Sequence, residues 1–423
     1  MTPMGIEDKK PTRRDILKQA AVAGTVVALG LKGREVLRED KKQAKIDRKP
    51  KQKNMNESGL EKKRDSNFEE QFAKRELIDV GNGGFAEVVD VSPKTPSEKG
   101  PLMLDPSTLV PIDIYEHVIH GFVNAGRRTL GLNHPREGGT TEVSPVDQEL
   151  TSKFSPEQVR QALTDIQVLD TKDVEGVNAL GHSQRGVSSA LAALLMVRRA
   201  ERGEGKRRIK NVILFESAGL VEHDSRTRLA TGFLKEPSTR GAWGESFKAM
   251  PWSEEDLARV EKENAERATR SEPPIILPKY DEIVESEEDK EKGVEVRGAQ
   301  RSEYSANPMR AFKEMWGLAA TDLLPVLKEL RENGVGVIII SGASDTVFPM
   351  EKLAGTMDKG EIEKPPEARK IVPGSLRPEH VDMFLPFRGD HALRVPQVPY
   401  IEGWLSALEA KQKRAAIGGK MIK

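Results

Sequence analysis

The chain has 423 residues, enough to bury one large core carrying an insertion, or two separate cores. Its 67 Lys and Arg balance its 67 Asp and Glu, so no global field draws it to nucleic acid. The absence of cysteine excludes disulfides and thiolate-held metals, and a charged fraction of 32% against 5% aromatics puts much of that charge outside any core.

The first thirty residues read as an address. Pro11-Thr12-Arg13-Arg14-Asp15-Ile16-Leu17-Lys18 resembles the twin-arginine export pattern, with Ile16 where the pattern carries an aromatic. Ala20 to Leu31 is an uncharged, mildly apolar run of signal length, too short and too rich in Ala and Gly for a spanning helix. Residues 1–33 are therefore expected to be a signal or membrane anchor that engages the twin-arginine export machinery, giving a periplasmic, extracellular or membrane-anchored protein. Whether the signal is cleaved stays open, because no clear Ala-x-Ala site follows, and the alternative is a cytosolic amphipathic helix that begins with two arginines. From 34 to 75 the residues are mostly charged or carry amides, too few of them apolar to offset ordering entropy. That composition predicts a disordered or loosely helical tether.

The folded part is expected to start at Glu76. Leu77 to Val80, Gly81-Asn82-Gly83-Gly84 and Phe85 to Val91 read as a β-hairpin. Pro101 to Leu104 is a short buried strand, Ile112 to Ala125 a helix, and Arg128 to His134 a strand and loop. Ser155-Pro156-Glu157 opens another helix, with serine as cap and proline in the first turn. Alternation of this kind predicts a mostly parallel sheet.

The stretch that organises the rest is Val177-Asn178-Ala179-Leu180-Gly181-His182-Ser183-Gln184-Arg185-Gly186. An apolar run enters Gly-His-Ser and a small-residue helical run, Val187 to Met196, leaves it. A serine at the apex of such a strand-turn-helix is held in a strained conformation with its hydroxyl lifted clear of the sheet. The crowding of that turn calls for small residues two before and two after the serine; Gly181 meets the first requirement, but Arg185 stands at the second and Gly186 comes one place late. These residues resemble the Gly-x-Ser-x-Gly elbow of the α/β-hydrolase family.

The resemblance implies an α/β-hydrolase fold from Glu76 to Leu408, a mostly parallel sheet flanked by helices with an inserted helical cap. Asn211 to Glu216 is a further strand. Residues 221–318, with helical pieces such as Glu254 to Ala268 and an acidic run from Glu285 to Glu291, fall where the family inserts its cap, dividing the core into 76–220 and 319–423. A helix from Asp322 to Glu332 leads to the strand Val335 to Ile340, and Val381 to Pro386 and a helix near Tyr400 to Leu408 close the domain.

In this fold the acid and the histidine follow the serine in that order, at strand ends. Ser341-Gly342-Ala343-Ser344-Asp345-Thr346-Val347-Phe348-Pro349 resembles the family's acid loop and makes Asp345 the acid. Among seven histidines, His391 in Arg388-Gly389-Asp390-His391 resembles the family's last loop and is the base. His380 is its rival; His182 sits inside the elbow, His134 could line the pocket, His117 and His120 lie on a helix face, and His223 falls in the cap. Two backbone amides must face the developing oxyanion. Gln184 is one, and Ser107 the other, since the family's His-Gly is replaced by Asp105-Pro106 and Pro106 has no amide hydrogen.

The expected function is that of an exported serine hydrolase, cleaving a small-molecule carboxylic ester or related acyl bond through an acyl-enzyme, with Ser183, His391 and Asp345 as triad. No metal or organic cofactor and no nucleic-acid partner is implied. The same triad could serve an acyltransferase, a peptidase or a perhydrolase. A catalytically inactive hydrolase fold acting as a binding protein is the alternative that Arg185 and the missing His-Gly favour.

Overall fold

The computed structural model describes residues 66–107, 110–135, 138–221, 321–342 and most of 378–421, with single residues and short runs elsewhere. Contacts divide the chain into two units, Met1–Lys62 with Val294–Lys313, and Lys63–Gly293 with Glu314–Lys423; every described residue belongs to the second. The expected signal, most of the tether and most of the expected cap, including His223, lie outside the described residues.

The tether ends earlier than its composition suggests. Helix α1 (Ser66–Ala73) buries Phe68 and Phe72, whose rings stack 5.5 Å apart. Spaced four apart, the two rings share one helix face and pin an otherwise polar segment. Gln71 adds hydrogen bonds in both directions to the backbone of Ser92, at 2.9 and 3.4 Å.

Strands β1 (Glu76–Asp79), β2 (Phe85–Val91), β3 (Leu102–Asp105), β4 (Thr129–Asn133), β5 (Val177–His182), β6 (Ile209–Phe215), β7 (Gly336–Gly342) and β8 (Met383–Phe387) form one sheet. Its order is β1-β2-β4-β3-β5-β6-β7-β8. β2 pairs antiparallel with both β1 and β4, and every other pairing is parallel. One reversed strand in that order, covered by helices, is the α/β-hydrolase fold.

The helices are α2 (Glu116–Asn124), α3 (Gln148–Thr151), α4 (Pro156–Lys172), α5 (Arg185–Glu201), α6 (Leu324–Glu332) and α7 (Gln397–Met421). Every residue of β5 and of β7 is buried, which is why both read as near-continuous apolar runs. Ser155 and Gln158 start α4 with a reciprocal capping box, and Pro156 occupies its first turn. The helix expected from Ile112 to Ala125 is divided: a 3-10 turn, Ile112–Tyr115, precedes α2, because Tyr115 (φ −95, ψ 10) departs from helical geometry. β5, β6 and β7 are parallel neighbours in the sheet, so their carboxyl ends share one edge.

Candidate active site

Ser183 follows β5 directly, with φ 62 in the left-handed region. Its amide donates to Phe215 O at 2.9 Å and its carbonyl accepts from the amides of Gly186 (3.2 Å) and Ala218 (3.3 Å). These bonds fix a conformation that a serine does not choose by itself. A Cβ on Gly181 would stand 2.5 Å from Arg185 O, as the crowding argument requires. After the serine the restriction falls on the third position instead of the second: a Cβ on Gly186 would meet Ser217 Oγ at 2.1 Å. Arg185, the first residue of α5, is tolerated because its side chain extends toward Asp105, with Nε 3.7 Å from Oδ1.

The three residues singled out in the sequence stand in a line. His391 Nε2 lies 2.8 Å from Ser183 Oγ, and His391 Nδ1 lies 2.9 Å from Asp345 Oδ2. Asp345 Oδ1 accepts from the amides of Val347 (2.6 Å) and Phe348 (3.0 Å). Ser183, His391 and Asp345 are all buried. Burial by itself would raise the Asp345 pKa; the charge and hydrogen bond of His391, the Glu216 side chain and the Phe348 amide outweigh it and hold the carboxyl far below its ordinary range. An ionised Asp345 accepts from Nδ1–H, which leaves Nε2 with its lone pair toward the serine hydroxyl. His391 packs between the rings of His182 and Phe348, each with its centroid 5.3 Å away.

His182 belongs to a second chain of contacts. Its Nε2 is 3.0 Å from His391 O, so Nε2 carries the hydrogen. Nδ1 then accepts from the Tyr115 hydroxyl at 2.6 Å, and that oxygen accepts from the Ser107 amide at 3.2 Å. The Ser107 amide, expected at an oxyanion, is directed at Tyr115 here. Gln184, the other expected donor, is the residue just before α5, in helical conformation. His380 lies in the 3-10 turn Pro378–His380 before β8.

A second charged group adjoins the elbow. Asp105, at the end of β3, is fully buried. Its Oδ1 lies 2.9 Å from His134 Nε2, which is also 3.2 Å from Asp165 Oδ1, and its Oδ2 accepts from Ser188 Oγ at 3.2 Å. Thus His134 is buried among carboxylates. Burial and the charge of Arg185 oppose a proton on His134, but Asp105 and Asp165 more than restore it and raise its pKa. Burial, then the charge of Asp105, push the Asp165 carboxyl up to about 6.

Among the described residues, two triplets offer metal-ligand atoms within 4.8 Å of one another: Asp105, His134 and Asp165, and Glu216, Asp345 and His391. In the first, Arg185 already supplies positive charge; in the second, His391 is engaged by Ser183. Tyr115, Asp165 and Glu216 were not singled out from the sequence. Only Glu216 carried a readable signal, an acid ending a buried parallel strand.

No family model and no curated protein matches the chain. Among solved structures, an esterase from Exiguobacterium antarcticum is 13% identical, with 80% of this chain and 98% of that one covered and a TM-score of 0.42. A bromoperoxidase from Bacillus anthracis is 14% identical, with 80% and 100% covered and a TM-score of 0.42. A carboxylesterase from Nitrososphaera gargenis is 15% identical, with 80% and 99% covered and a TM-score of 0.43. Identities this low transfer no chemistry, so the site has to be read from its own residues.

Proposed function

We propose that the protein is a serine hydrolase that cleaves a carboxylic ester, or a related acyl bond, of a small molecule through an acyl-enzyme. The observation that carries this reading is the buried line from Ser183 Oγ to His391 to Asp345, set on a serine with φ 62. Ser183 attacks the carbonyl carbon while His391 Nε2 takes its proton. The alkoxide leaving group then receives that proton, and Ser183 is left acylated. Water, deprotonated by the same nitrogen, releases the acid. Asp345 keeps Nδ1–H pointed away from the serine and balances the imidazolium. Gln184 supplies an amide to the oxyanion.

One observation favours the rival reading of an inactive fold kept for binding: the Ser107 amide faces Tyr115. A fluorophosphonate probe separates the two, because it reacts only with a serine activated by a base. Labelling at Ser183 is expected, and Ser183→Ala or His391→Ala should abolish it. In Asp345→Asn the side-chain oxygen stays with the amides of Val347 and Phe348, so the NH2 faces His391 and selects the wrong tautomer. The corresponding change in a serine protease costs about 10⁴ in turnover. Wild-type protein that is folded yet takes up no probe would leave the binding reading in place.

A further inference from the structure

Four residues other than glycine have a left-handed backbone among the described residues: Asn82, Asp173, Ser183 and Glu216. Asn82 lies in the turn between β1 and β2, and Asp173 ends α4; both are ordinary places for such a conformation. The other two follow the neighbouring strands β5 and β6, and they are linked, since the Ser183 amide donates to Phe215 O, the residue before Glu216. A glutamate has no intrinsic preference for this region, so surrounding structure must impose it, and such strain concentrates where a side chain has to be aimed.

The aim is toward the histidine. Glu216 is 1% exposed, its amide donates to Ile340 O at 2.9 Å, and its Oε1 accepts from the Gly342 amide at the end of β7. One of its carboxylate oxygens, one of Asp345 and a ring nitrogen of His391 all lie within 4.8 Å of one another. Two acids from adjacent strand ends therefore address one imidazole. Holding Gly342 accounts for Oε1, and a glutamine would do it equally well. A carboxyl group this close to a partner acid shares protons and charge with it, and with Oε1 held by Gly342 a carboxylate keeps a second acceptor for Nδ1–H where a glutamine would present an NH2.

We propose that Glu216 is a second positioning acid for His391, sharing its orientation with Asp345 and able to take over when Asp345 is lost. This rests on the serine-hydrolase reading above. No bond to substrate is involved. Nδ1–H keeps its proton, and Glu216 accepts from it directly or through one water.

The test is kcat and fluorophosphonate labelling rate for Asp345→Asn, Asp345→Ala, Glu216→Gln and Asp345→Ala/Glu216→Gln in the full chain. Asp345→Asn should be the slowest single variant, down about 10⁴, because its amide blocks Nδ1. Asp345→Ala leaves Nδ1 to Glu216 and should retain at least about tenfold more activity than Asp345→Asn. Glu216→Gln alone should cost less than about tenfold. The double variant should fall at least about tenfold below Asp345→Ala, a dependence that a purely structural contact to Gly342 does not produce, since glutamine keeps it. Should Asp345→Ala not fold, Asp345→Ser, whose oxygen can still accept from Val347 and Phe348, carries the same comparison. Equal rates for Asp345→Ala with and without Glu216→Gln overturn the proposal and leave the triad intact. An inert wild type overturns the hydrolase reading on which it rests.

Discussion

Two residues that depart from the hydrolase motifs, Arg185 after the serine and Asp105 at the end of β3, lie opposite each other, with Nε 3.7 Å from Oδ1. Each alone reads as a defect, a large side chain in a crowded turn and a lost His-Gly. Together they form a buried charge cluster with His134 and Asp165, in which opposite charges limit the penalty of leaving water. Its titration gives a signed expectation. Both Asp165 and His134 bind protons more tightly in the folded chain than in the unfolded one, so their stabilisation is greatest at low pH. For Asp165 it is complete below the ordinary value of 3.8 and lost as pH rises through about 6. For His134 it is complete below 6.5 and lost above its raised value. Asp165→Asn keeps the shape, removes this titration and, by taking a carboxylate charge from beside His134, reduces the upward shift of the histidine as well. Urea unfolding from pH 4 to pH 8 should show the variant gaining on the wild type as pH rises through about 6. A constant difference across that range would mean that Asp165 does not titrate there.

At the scale of elements, the opposite edge of the sheet is tied down by polar contacts that no periodicity announces. Arg127, just before β4, is fully buried. It donates to Glu402 of α7, to both carboxylate oxygens of Glu409 at 2.8 and 3.0 Å and to Gly100 O at 2.7 Å. Glu409 also accepts from Asn178 of β5 at 2.9 Å, so α7 is fastened to two neighbouring regions of the sheet. Arg127→Met should cost about 3–5 kcal/mol in urea unfolding, because two carboxylates lose their buried partner. Adding Glu402→Gln and Glu409→Gln should recover much of that loss. A cost below about 1 kcal/mol would instead assign the docking of α7 to its apolar residues Val398, Ile401, Leu405 and Leu408, all of them buried. Helix α1 shows the complementary case. Its two phenylalanines were hidden in a mostly charged and amide-bearing stretch of about forty residues, although four residues of spacing suffice to dock a helix.

For the whole molecule, export remains the proposal made from residues 1–33. Replacing Arg13 and Arg14 with lysine keeps the charge but removes the pair that the export pattern specifies, so the chain should accumulate in the cytoplasm of a host that has this machinery. Cell fractionation showing unchanged export would refute the address. The sequence by itself determined the order of the strands, the serine turn and the residues at the ends of β5, β7 and β8. These are local properties: buried parallel strands are written as continuous apolar runs, and a tight turn demands glycine within two or three positions of the serine. Only the tertiary structure decided which distant groups meet. Glu216 with Asp345, Arg185 with Asp105, Ser107 with Tyr115 and Arg127 with Glu409 are pairs separated by 8 to 282 positions. Such pairs leave no periodic trace, because only packing joins them: the crossover order of the sheet brings the carboxyl ends of strands remote in sequence to one edge, and α7 folds back to set its glutamates against Arg127 at the other.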